Sequence, residues 1–199
     1  MKTVLVTGSS SGIGKETVKF FQAKGWQVIA TMRDPQKDTE LSKLEGVNCV
    51  ALDVTALDKI PQIVNQLIEQ YGTIDVLVNN AGYGLIGAFE CATSDQINTQ
   101  MNTNVTGLMA LTKEVLPHMR NKKTGTIVNI SSVAGKVSFP FYSCYNATKW
   151  AVEGFSEALQ YEVAPFNIKV KLVEPGVVET NFFGPSLKTT DMSSSPEYT

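Results

Sequence analysis

The sequence predicts an α/β fold, a single doubly wound parallel sheet covered by helices on both faces. Two observations lead to this prediction. Short apolar runs rich in Val, Ile and Leu alternate with longer segments of helical periodicity. Several of the runs are unbroken, as expected for strands that are buried on both faces. Alternation of strands and helices through short connections is typical of a parallel sheet in which each crossover is a helix.

Six strands and four long helices are predicted in alternation. The predicted strands cover residues 3–7, 27–32, 47–52, 74–79, 126–131 and 169–173. The predicted helices cover residues 13–24, 56–71, 95–120 and 146–164, with a short, weaker one over 38–44. In the last long helix, Ala151, Phe155 and Leu159 recur at helical spacing and form one apolar stripe. We expect residues 1–183 to form one domain, and the polar segment 184–199 to be a mobile tail or the remnant of a loop.

Composition excludes several classes of function. The chain carries 17 basic and 19 acidic residues, a formal net charge of −2, which gives no electrostatic footprint for nucleic acid or an anionic membrane. No apolar run reaches the roughly 18 residues of a membrane-spanning helix. Cys49, Cys91 and Cys144 lack metal-binding or disulfide spacing, so reduced thiols and a cytoplasmic location are expected. His118 is the one histidine, which argues against a multi-histidine metal site and a Ser/His triad.

A glycine-rich segment follows the first predicted strand and leads into the first helix. Glycines there permit a tight turn and a close approach of a phosphate to the backbone, and the helix N-terminus offers free N–H groups. The segment is therefore a candidate cradle for a dinucleotide, although Gly and Ser also fill many purely structural turns. The candidate cofactor-binding residues in it are Gly8, Ser10, Ser11, Gly12, Ile13 and Gly14.

Two further strand ends carry candidate contacts to an adenosine group. Met32 ends the second strand and cannot bind ribose hydroxyls, whereas Arg33 can pair with a 2′-phosphate, assisted by Ser11. Asp34 either binds ribose instead or caps the following turn. Asp53, at the end of the third strand, either accepts a hydrogen bond from adenine or caps the next helix. The pattern favours NADP(H) over NAD(H).

Tyr145 and Lys149 lie four residues apart, on one face of the last long helix. A free tyrosine has a pKa of about 10, and a neighbouring ammonium group favours the phenolate and lowers that pKa. Tyr145 can then donate a proton to a carbonyl or take one from an alcohol. Ser132, after the fifth strand, can hold the substrate oxygen beside Tyr145, although serines at strand ends are often only turn residues.

Together these segments resemble the short-chain dehydrogenase/reductase family, in its compact branch. The resemblance covers residues 3 to about 183 and rests on residues 7–14, Asp53, residues 79–82, Asn104, Ser132, Tyr145, Lys149 and residues 175–180. It implies a Rossmann fold and a catalytic tetrad of Asn104, Ser132, Tyr145 and Lys149. In that tetrad Tyr145 is the general acid/base and Ser132 polarises the substrate oxygen. Lys149 also binds the nicotinamide ribose, and Asn104 holds a water that relays protons to solvent.

The resemblance also implies cofactor contacts, a substrate class and an assembly. Val178 and Thr180 would contact the nicotinamide carboxamide. Residues 30–35 resemble the branch of 17-beta-hydroxysteroid and retinol dehydrogenases, which supports NADP(H) and an apolar alcohol or ketone. A homodimer or homotetramer would form through the helices at 95–120 and 146–164. The further candidate cofactor-binding residues are Val54, Asn80, Ala81, Gly82, Tyr145, Lys149, Pro175 and Gly176, and the candidate pocket walls are Tyr83, Leu85, Phe139, Phe141, Tyr142 and Phe182.

The function that follows is NADP(H)-dependent interconversion of a carbonyl and a primary or secondary alcohol, with Tyr145 as general acid/base. Family members continue past the Pro175–Gly176 segment to a seventh strand, so the C-terminal strand and the substrate-loop helices are expected to be missing. This keeps open a second hypothesis, a dinucleotide-binding regulatory protein with impaired catalysis. An epimerase or dehydratase with a similar Tyr/Lys pair is a third, and the glycine spacing and the short chain argue against it.

Overall fold

The main sheet has six parallel strands in the predicted doubly wound arrangement. The computed structural model of the chain describes residues 1–178, 180, 184 and 186–198. In chain order, the strands are β1 (Thr3–Val6), β2 (Gln27–Met32), β3 (Val47–Ala51), β4 (Val76–Asn79), β5 (Gly84–Ile86), β6 (Gly125–Ile130), β7 (Ile168–Val173) and β8 (Leu187–Thr189). The six-stranded sheet has the order β3-β2-β1-β4-β6-β7, and β5 and β8 form a separate parallel pair. The predicted fold class is therefore confirmed.

In the described part of the chain, five α-helices connect the strands. They are α1 (Gly12–Ala23), α2 (Ile60–Tyr71), α3 (Ser94–Met101), α4 (Gly107–Lys122) and α5 (Ser143–Val163). No helix in the described part of the chain is long and apolar enough to cross a membrane. From β1 the chain continues to β2 and β3 on one side of the sheet, and it then returns to β4, β6 and β7 on the other side of β1. The strand order therefore reverses between β1 and β4.

Strand residues alternate between two apolar cores, one on each face of the sheet. Leu5, Leu77 and Ile127 belong to the larger cluster, which packs against α2, α4 and α5. The neighbouring residues of the same strands, Val4 and Val78 among them, belong to the cluster that packs against α1. Successive side chains of a strand point to opposite faces of the sheet. Because helices cover both faces, consecutive strand residues are all buried, which explains the unbroken apolar runs in the sequence.

Three helix predictions were wrong in detail. The segment 95–120 is two helices joined by a π-helical turn, Asn102–Thr106, rather than one continuous helix. Helix α2 begins at Ile60 rather than at residue 56, because Pro61 lies in its first turn, where the missing N–H costs nothing. The segment 38–44 contains only a 3₁₀ turn, Leu41–Lys43.

The pairing of β5 with β8 was not predicted. Gly84 and Ile86 on β5 lie opposite Leu187 and Thr189 on β8, and the N–H of Thr190 donates to the carbonyl of Ile86 at 2.9 Å. Part of the segment 184–199 thus contacts the chain that follows β4. The division at residue 183 stays a prediction, since residues 181–183 lie outside the described residues.

Candidate active site

The candidate site lies at the carboxyl edge of the sheet. The glycine-rich segment follows β1, residues 79–82 end and follow β4, and Ser131 and Ser132 follow β6. Strands β1 and β4 are neighbours at the point where the strand order reverses. A crevice forms outside the strand ends at such a point, and ligands of doubly wound sheets bind there.

The glycine-rich segment is shaped so that side chains at two positions cannot fit. Gly8 has a φ of +64°, and a Cβ on it would lie 2.8 Å from the Cα of Ala81. A Cβ on Gly14 would overlap the carbonyl oxygen of Gly8 and the side-chain amide nitrogen (Nδ2) of Asn80. The turn therefore lies directly against the end of β4.

Thr7 and Asn80 fix this turn to β4. The Thr7 hydroxyl accepts hydrogen bonds from the N–H groups of Asn80 and Ala81, both at 2.9 Å. The Asn80 side-chain amide donates to the carbonyls of Thr7 and Gly8, at 2.9 and 3.1 Å. The side chain of Asn80, a predicted cofactor contact, is thus used to hold the glycine turn. Sequence reasoning gave Thr7 no such role.

The N-terminus of α1 suits an anion. Ser11 is the N-cap residue, but no side-chain hydrogen bond caps the helix, and its first turn contains no acidic residue. Uncapped N–H groups and the positive end of the helix dipole favour a phosphate. Ser10 is exposed, while Ser11, Gly12 and Ile13 are half-buried around the turn. The residues present therefore fit the pyrophosphate of a dinucleotide.

At the end of β2, Met32 is 3% exposed and turned into the core, whereas Arg33 is exposed. Among the described residues Arg33 forms no ion pair, while Asp34 is paired with Lys37 at 3.0 Å. Asp34 is the N-cap residue of the 3₁₀ turn Pro35–Lys37, but its side chain makes no capping hydrogen bond there. The guanidinium of Arg33 is available for an anion.

Asp53 closes a turn after β3. Its carboxylate accepts hydrogen bonds from the N–H of Thr55 at 2.9 Å and from the Thr55 hydroxyl at 2.8 Å. Because α2 begins only at Ile60, Asp53 is not its N-cap, and that alternative was wrong. The contact with adenine stays a prediction. Val54 is buried against Gly107, where an added Cβ would lie 2.8 Å from the Cβ of Val54.

Tyr145 and Lys149 are both buried on α5, at 6% and 7% exposure. The Lys149 ammonium lies 5.7 Å from the centroid of the Tyr145 ring and donates to the carbonyl of Ile130 at 2.8 Å. Burial lowers the pKa of Lys149 to about 8, and the charge of Glu153 opposes that change. Because β6 and α5 hold Lys149 between them, its position beside Tyr145 is fixed by the fold.

Burial raises the pKa of Tyr145 above 10.0, and a hydrogen bond with Ser132 partly offsets the rise. The sequence predicted the opposite direction, from the charge of Lys149. The difference has a physical reason: desolvation of the phenolate dominates, and the Lys149 ammonium is engaged by the Ile130 carbonyl. Without a bound cofactor, Tyr145 is therefore a protonated phenol near neutral pH.

Ser132 has an extended backbone and is the N-cap residue of the 3₁₀ turn Val133–Gly135. Its hydroxyl accepts a hydrogen bond from the N–H of Ala134 at 3.1 Å. The turn is bound to the segment after β7, since the N–H of Val133 donates to the carbonyl of Pro175 at 3.0 Å. The structure thus brings Ser132 to Tyr145 and places Pro175 beside the same turn.

Asn104 lies in the π-helical turn between α3 and α4 and is 2% exposed. Its side chain pairs with the backbone of Tyr83, accepting from the N–H at 3.1 Å and donating to the carbonyl at 2.9 Å. It also donates to the hydroxyl of Thr148, beside Lys149, at 3.2 Å. A π turn inside a helix often marks a functional residue. The water relay stays a prediction.

Thr180 brings the last predicted segment to the glycine turn. A Cβ on Gly12 would lie 3.4 Å from the Cβ of Thr180, so these two candidate cofactor-binding positions are neighbours. Gly176 and Val178 are exposed, and the carboxamide contacts stay predictions. Glu179 and the candidate pocket wall Phe182 lie outside the described residues.

Two open cavities flank the first half of α5. One, of about 250 Å³, is lined by Phe89, Ile97, Gln100, Met101, Ser143, Cys144 and Ala147. The other, of about 490 Å³, is lined by Ser138, Phe139, Phe141, Ser143, Asn146, Ala147 and Trp150. Phe139 and Phe141 were candidate pocket walls. The residues that line these cavities do not include Tyr145, so we place the chemistry at the strand ends and not in either cavity.

Sequence reasoning missed two charged residues beside the candidate tetrad. Glu153 is buried one turn beyond Lys149, and Lys136 reaches its carboxylate from the Ser132 turn at 2.8 Å. The spacing of Glu153 from Lys149 was a usable signal, because residues four apart on a helix are neighbours. No sequence signal indicated Lys136.

Known proteins resemble this chain along most of its length. A family model described as short chain dehydrogenase matches residues 2–191. The 3-ketodihydrosphingosine reductase of Bacteroides thetaiotaomicron is 45% identical over 179 residues, covering 90% of this chain and 65% of that protein. Retinol dehydrogenase 8 of Homo sapiens is 39% identical over 204 residues, covering 98% of this chain and 65% of that protein. The chain thus spans less than two thirds of the length of both curated relatives.

Solved structures agree with these similarities. A short-chain dehydrogenase from Streptomyces avermitilis superimposes with a TM-score of 0.92 at 40% identity, covering 100% of this chain and 74% of that one. A structure described as ElxO with NADP bound superimposes with a TM-score of 0.86 at 36% identity, covering 90% of this chain and 75% of that one. The similarity therefore includes the part of the fold that carries the candidate site.

Proposed function

Because the chain belongs to the short-chain dehydrogenase family of oxidoreductases, we propose that it interconverts a carbonyl and a primary or secondary alcohol with NADP(H). The observation that carries the proposal is the buried Tyr145, hydrogen-bonded to Ser132 and adjacent to the Lys149 ammonium. These three groups stand at the sheet edge that also carries the glycine turn. A proton donor and a cradle for a hydride carrier thus share one crevice.

The cofactor would be held along the carboxyl edge of the sheet. The glycine turn and the uncapped α1 N-terminus would take the pyrophosphate, and Arg33 a 2′-phosphate. The residues that would line its remaining length are Asp53, Val54, Ala81, Gly82, Lys149, Pro175, Gly176, Val178 and Thr180. Bound NADP(H) supplies or accepts the hydride. The NADP-bound ElxO structure supports a dinucleotide here, and the preference for NADP(H) over NAD(H) is part of the proposal.

In the reductive direction, Tyr145 donates its phenolic proton to the carbonyl oxygen as the hydride adds to carbon. The raised pKa of Tyr145 keeps that proton in place at neutral pH, which suits a general acid. The Ser132 hydroxyl holds the substrate oxygen, and the Lys149 ammonium stabilises the phenolate that remains. Asn104, whose side chain donates to the hydroxyl of Thr148 beside Lys149, would connect Lys149 to solvent for reprotonation.

We propose an apolar substrate. Phe139 and Phe141, which are 41% and 48% exposed, lie in the segment between Ser132 and Tyr145. Exposed aromatic side chains close to a polar reaction centre can hold the hydrocarbon part of a ligand. The names of the two curated relatives, a 3-ketodihydrosphingosine reductase and a retinol dehydrogenase, fit this choice. A homodimer or homotetramer and a cytoplasmic location stay predictions.

The test of the function is the carbonyl-dependent loss of NADPH absorbance at 340 nm. The purified protein is assayed with long-chain ketones, retinal, and small polar aldehydes and ketones of matched reactivity. We expect turnover with the apolar carbonyls and little with the polar ones. Binding of NADPH without oxidation by any carbonyl in the panel would instead favour a regulatory dinucleotide-binding protein.

Replacing Arg33 by alanine is expected to weaken NADPH binding by roughly tenfold to a hundredfold, because a charge-assisted bond to the 2′-phosphate is lost. NADH lacks this phosphate, so its affinity should change less than about twofold. Fluorescence titration measures both dissociation constants. Arg120→Ala, near the end of α4, removes the same side chain far from the site and should change neither. Equal losses for both cofactors in Arg33→Ala would contradict the phosphate assignment.

A further inference from the structure

Glu153 is a buried carboxylate one helical turn beyond Lys149. The residue is 8% exposed, and neither carboxylate oxygen accepts a hydrogen bond of good geometry from the described residues. A buried charge is costly unless an opposite charge compensates it. Lys149 and Glu153 are the charged residues among those buried in the described structure. The cations around Glu153 therefore compensate the energetic cost of burying its carboxylate.

Lys136 supplies the second of those cations, from the protein surface. Its ammonium lies 2.8 Å from the Glu153 carboxylate and 3.4 Å from that of Glu174. Lys136 ends the 3₁₀ turn that Ser132 begins, and Glu174 directly follows β7. The ion pairs thus join α5 to the Ser132 turn and to the segment that leads to Pro175. Because the Lys136 side chain is 54% exposed, they add little to stability.

The Ser132 turn approaches the carboxylate closely. A Cβ on Gly135 would lie 2.9 Å from Cγ and 3.0 Å from Oε1 of Glu153, and 2.8 Å from the hydroxyl of Ser131. That hydroxyl is itself buried without a hydrogen-bond partner among the described residues. Glu153 therefore packs against the backbone that positions Ser132, and it does not lie on a solvated face of α5.

We propose that Glu153 is a positioning residue, whose buried charge keeps Lys149 in the ammonium form beside Tyr145 and ties α5 to the Ser132 turn through Lys136. Its meaning for catalysis rests on the function proposed above. The proposed charge coupling between Glu153 and Lys149 does not depend on that function, because it can be measured in the protein alone.

The groups around the pair determine the sign of the effect. On α5, Tyr145 and Glu153 face Lys149, and β6 offers it the Ile130 carbonyl. Lys136 faces Glu153 from the Ser132 turn, with Glu174 of the β7 end behind it. Helix α3, β5 and the Asn104 turn place no charged residue in the described interior. Removing the Glu153 charge must therefore lower the pKa of Lys149 further.

The test is an NMR titration of the protein labelled with [13Cε]lysine, in which Lys149→Arg identifies the Lys149 signal by its loss. We expect Glu153→Gln to lower the pKa of Lys149 by about one pH unit. Glu153→Asp, which keeps the charge, should restore most of the original value. Glu157→Gln removes the same charge from an exposed position one turn further along α5 and should leave the pKa unchanged.

Lys136→Met separates an electrostatic from a structural role. Lys136→Met breaks the Lys136–Glu153 ion pair but leaves the Glu153 carboxylate, so it should raise the pKa of Lys149. If Glu153 acted only through packing, Glu153→Gln and Lys136→Met would shift the pKa of Lys149 in the same direction. It also tests the coupling if circular dichroism shows that Glu153→Gln does not fold. An unchanged pKa in Glu153→Gln, or equal decreases in Glu153→Gln and Lys136→Met, would overturn the proposal.

The catalytic part is tested by the pH dependence of kcat for carbonyl reduction. In Glu153→Gln the alkaline limb of the profile should move to lower pH, by the same amount as the pKa of Lys149. An unchanged profile beside a shifted Lys149 signal would remove the catalytic role. If the wild-type protein reduces no carbonyl, the proposed function fails, and the NMR titration still decides the coupling.

Discussion

Tyr145→Phe should lower turnover by at least about a thousandfold, at the upper part of the range for loss of a general acid, while NADPH binding stays nearly unchanged. The phenyl ring keeps the packing against Tyr142, whose ring centroid lies 6.2 Å away. What it lacks is the hydroxyl that bonds to Ser132 and that would protonate the substrate oxygen. Turnover is measured from NADPH absorbance, and cofactor binding by fluorescence titration.

Tyr161→Phe is the matched control, because it makes the same change on the same helix at a side chain that is 73% exposed. We expect it to retain wild-type turnover. If Tyr145→Phe were as active as Tyr161→Phe, Tyr145 would not be the proton donor. If Tyr145→Phe lost cofactor binding together with turnover, the effect would report a damaged site and not a missing proton.

Gly14→Ala should abolish cofactor binding and destabilise the protein. The new Cβ would overlap the Gly8 carbonyl, and a hydrogen bond from Asn80 holds that carbonyl in place. Overpacking of this kind costs about 1–3 kcal/mol, which for a chain of this size lowers Tm by roughly 3–10 °C. Movement of the turn to relieve the overlap would displace the N–H groups that bind phosphate.

Gly154→Ala supplies the control with the opposite sign. Gly154 lies in α5, is exposed, and has open space around the position of an added Cβ. Alanine is favoured over glycine inside a helix by roughly 0.5–1 kcal/mol, so this variant should be slightly more stable and bind NADPH normally. Thermal unfolding and fluorescence titration measure both properties. Normal NADPH binding by Gly14→Ala would contradict the assignment of the cradle.

The six-stranded sheet was predictable because its strands are buried on both faces. Runs such as residues 74–79 have few polar positions, and this feature can be recognised without knowing which strands pair with each other. The three-residue strands β5 and β8 are too short to show a period, and their pairing joins segments about a hundred positions apart. The π turn at Asn104 escaped prediction because Asn102–Thr106 contains neither Pro nor Gly, the residues that would mark a break between α3 and α4.

The candidate site was predictable as a set of residues but not as an electrostatic environment. Tyr145, Lys149 and Ser132 were predicted from their spacing together with the family resemblance, and the structure brings them together. The pKa of Tyr145 moves upward because of burial, which depends on the elements packed around α5. The burial of Glu153 similarly depends on Lys136 and Gly135, which belong to a different segment. Such effects arise from tertiary contacts that a single sequence does not show.

The most direct measurement follows the hydride itself. The protein is incubated with an apolar ketone and NADPH that carries deuterium at both C4 positions of the nicotinamide, and the alcohol is examined by mass spectrometry. The account predicts one deuterium, on the carbinol carbon, in wild-type protein and almost no product in Tyr145→Phe. Alcohol without deuterium, or labelled alcohol formed equally well by Tyr145→Phe, would contradict hydride transfer coupled to proton donation by Tyr145.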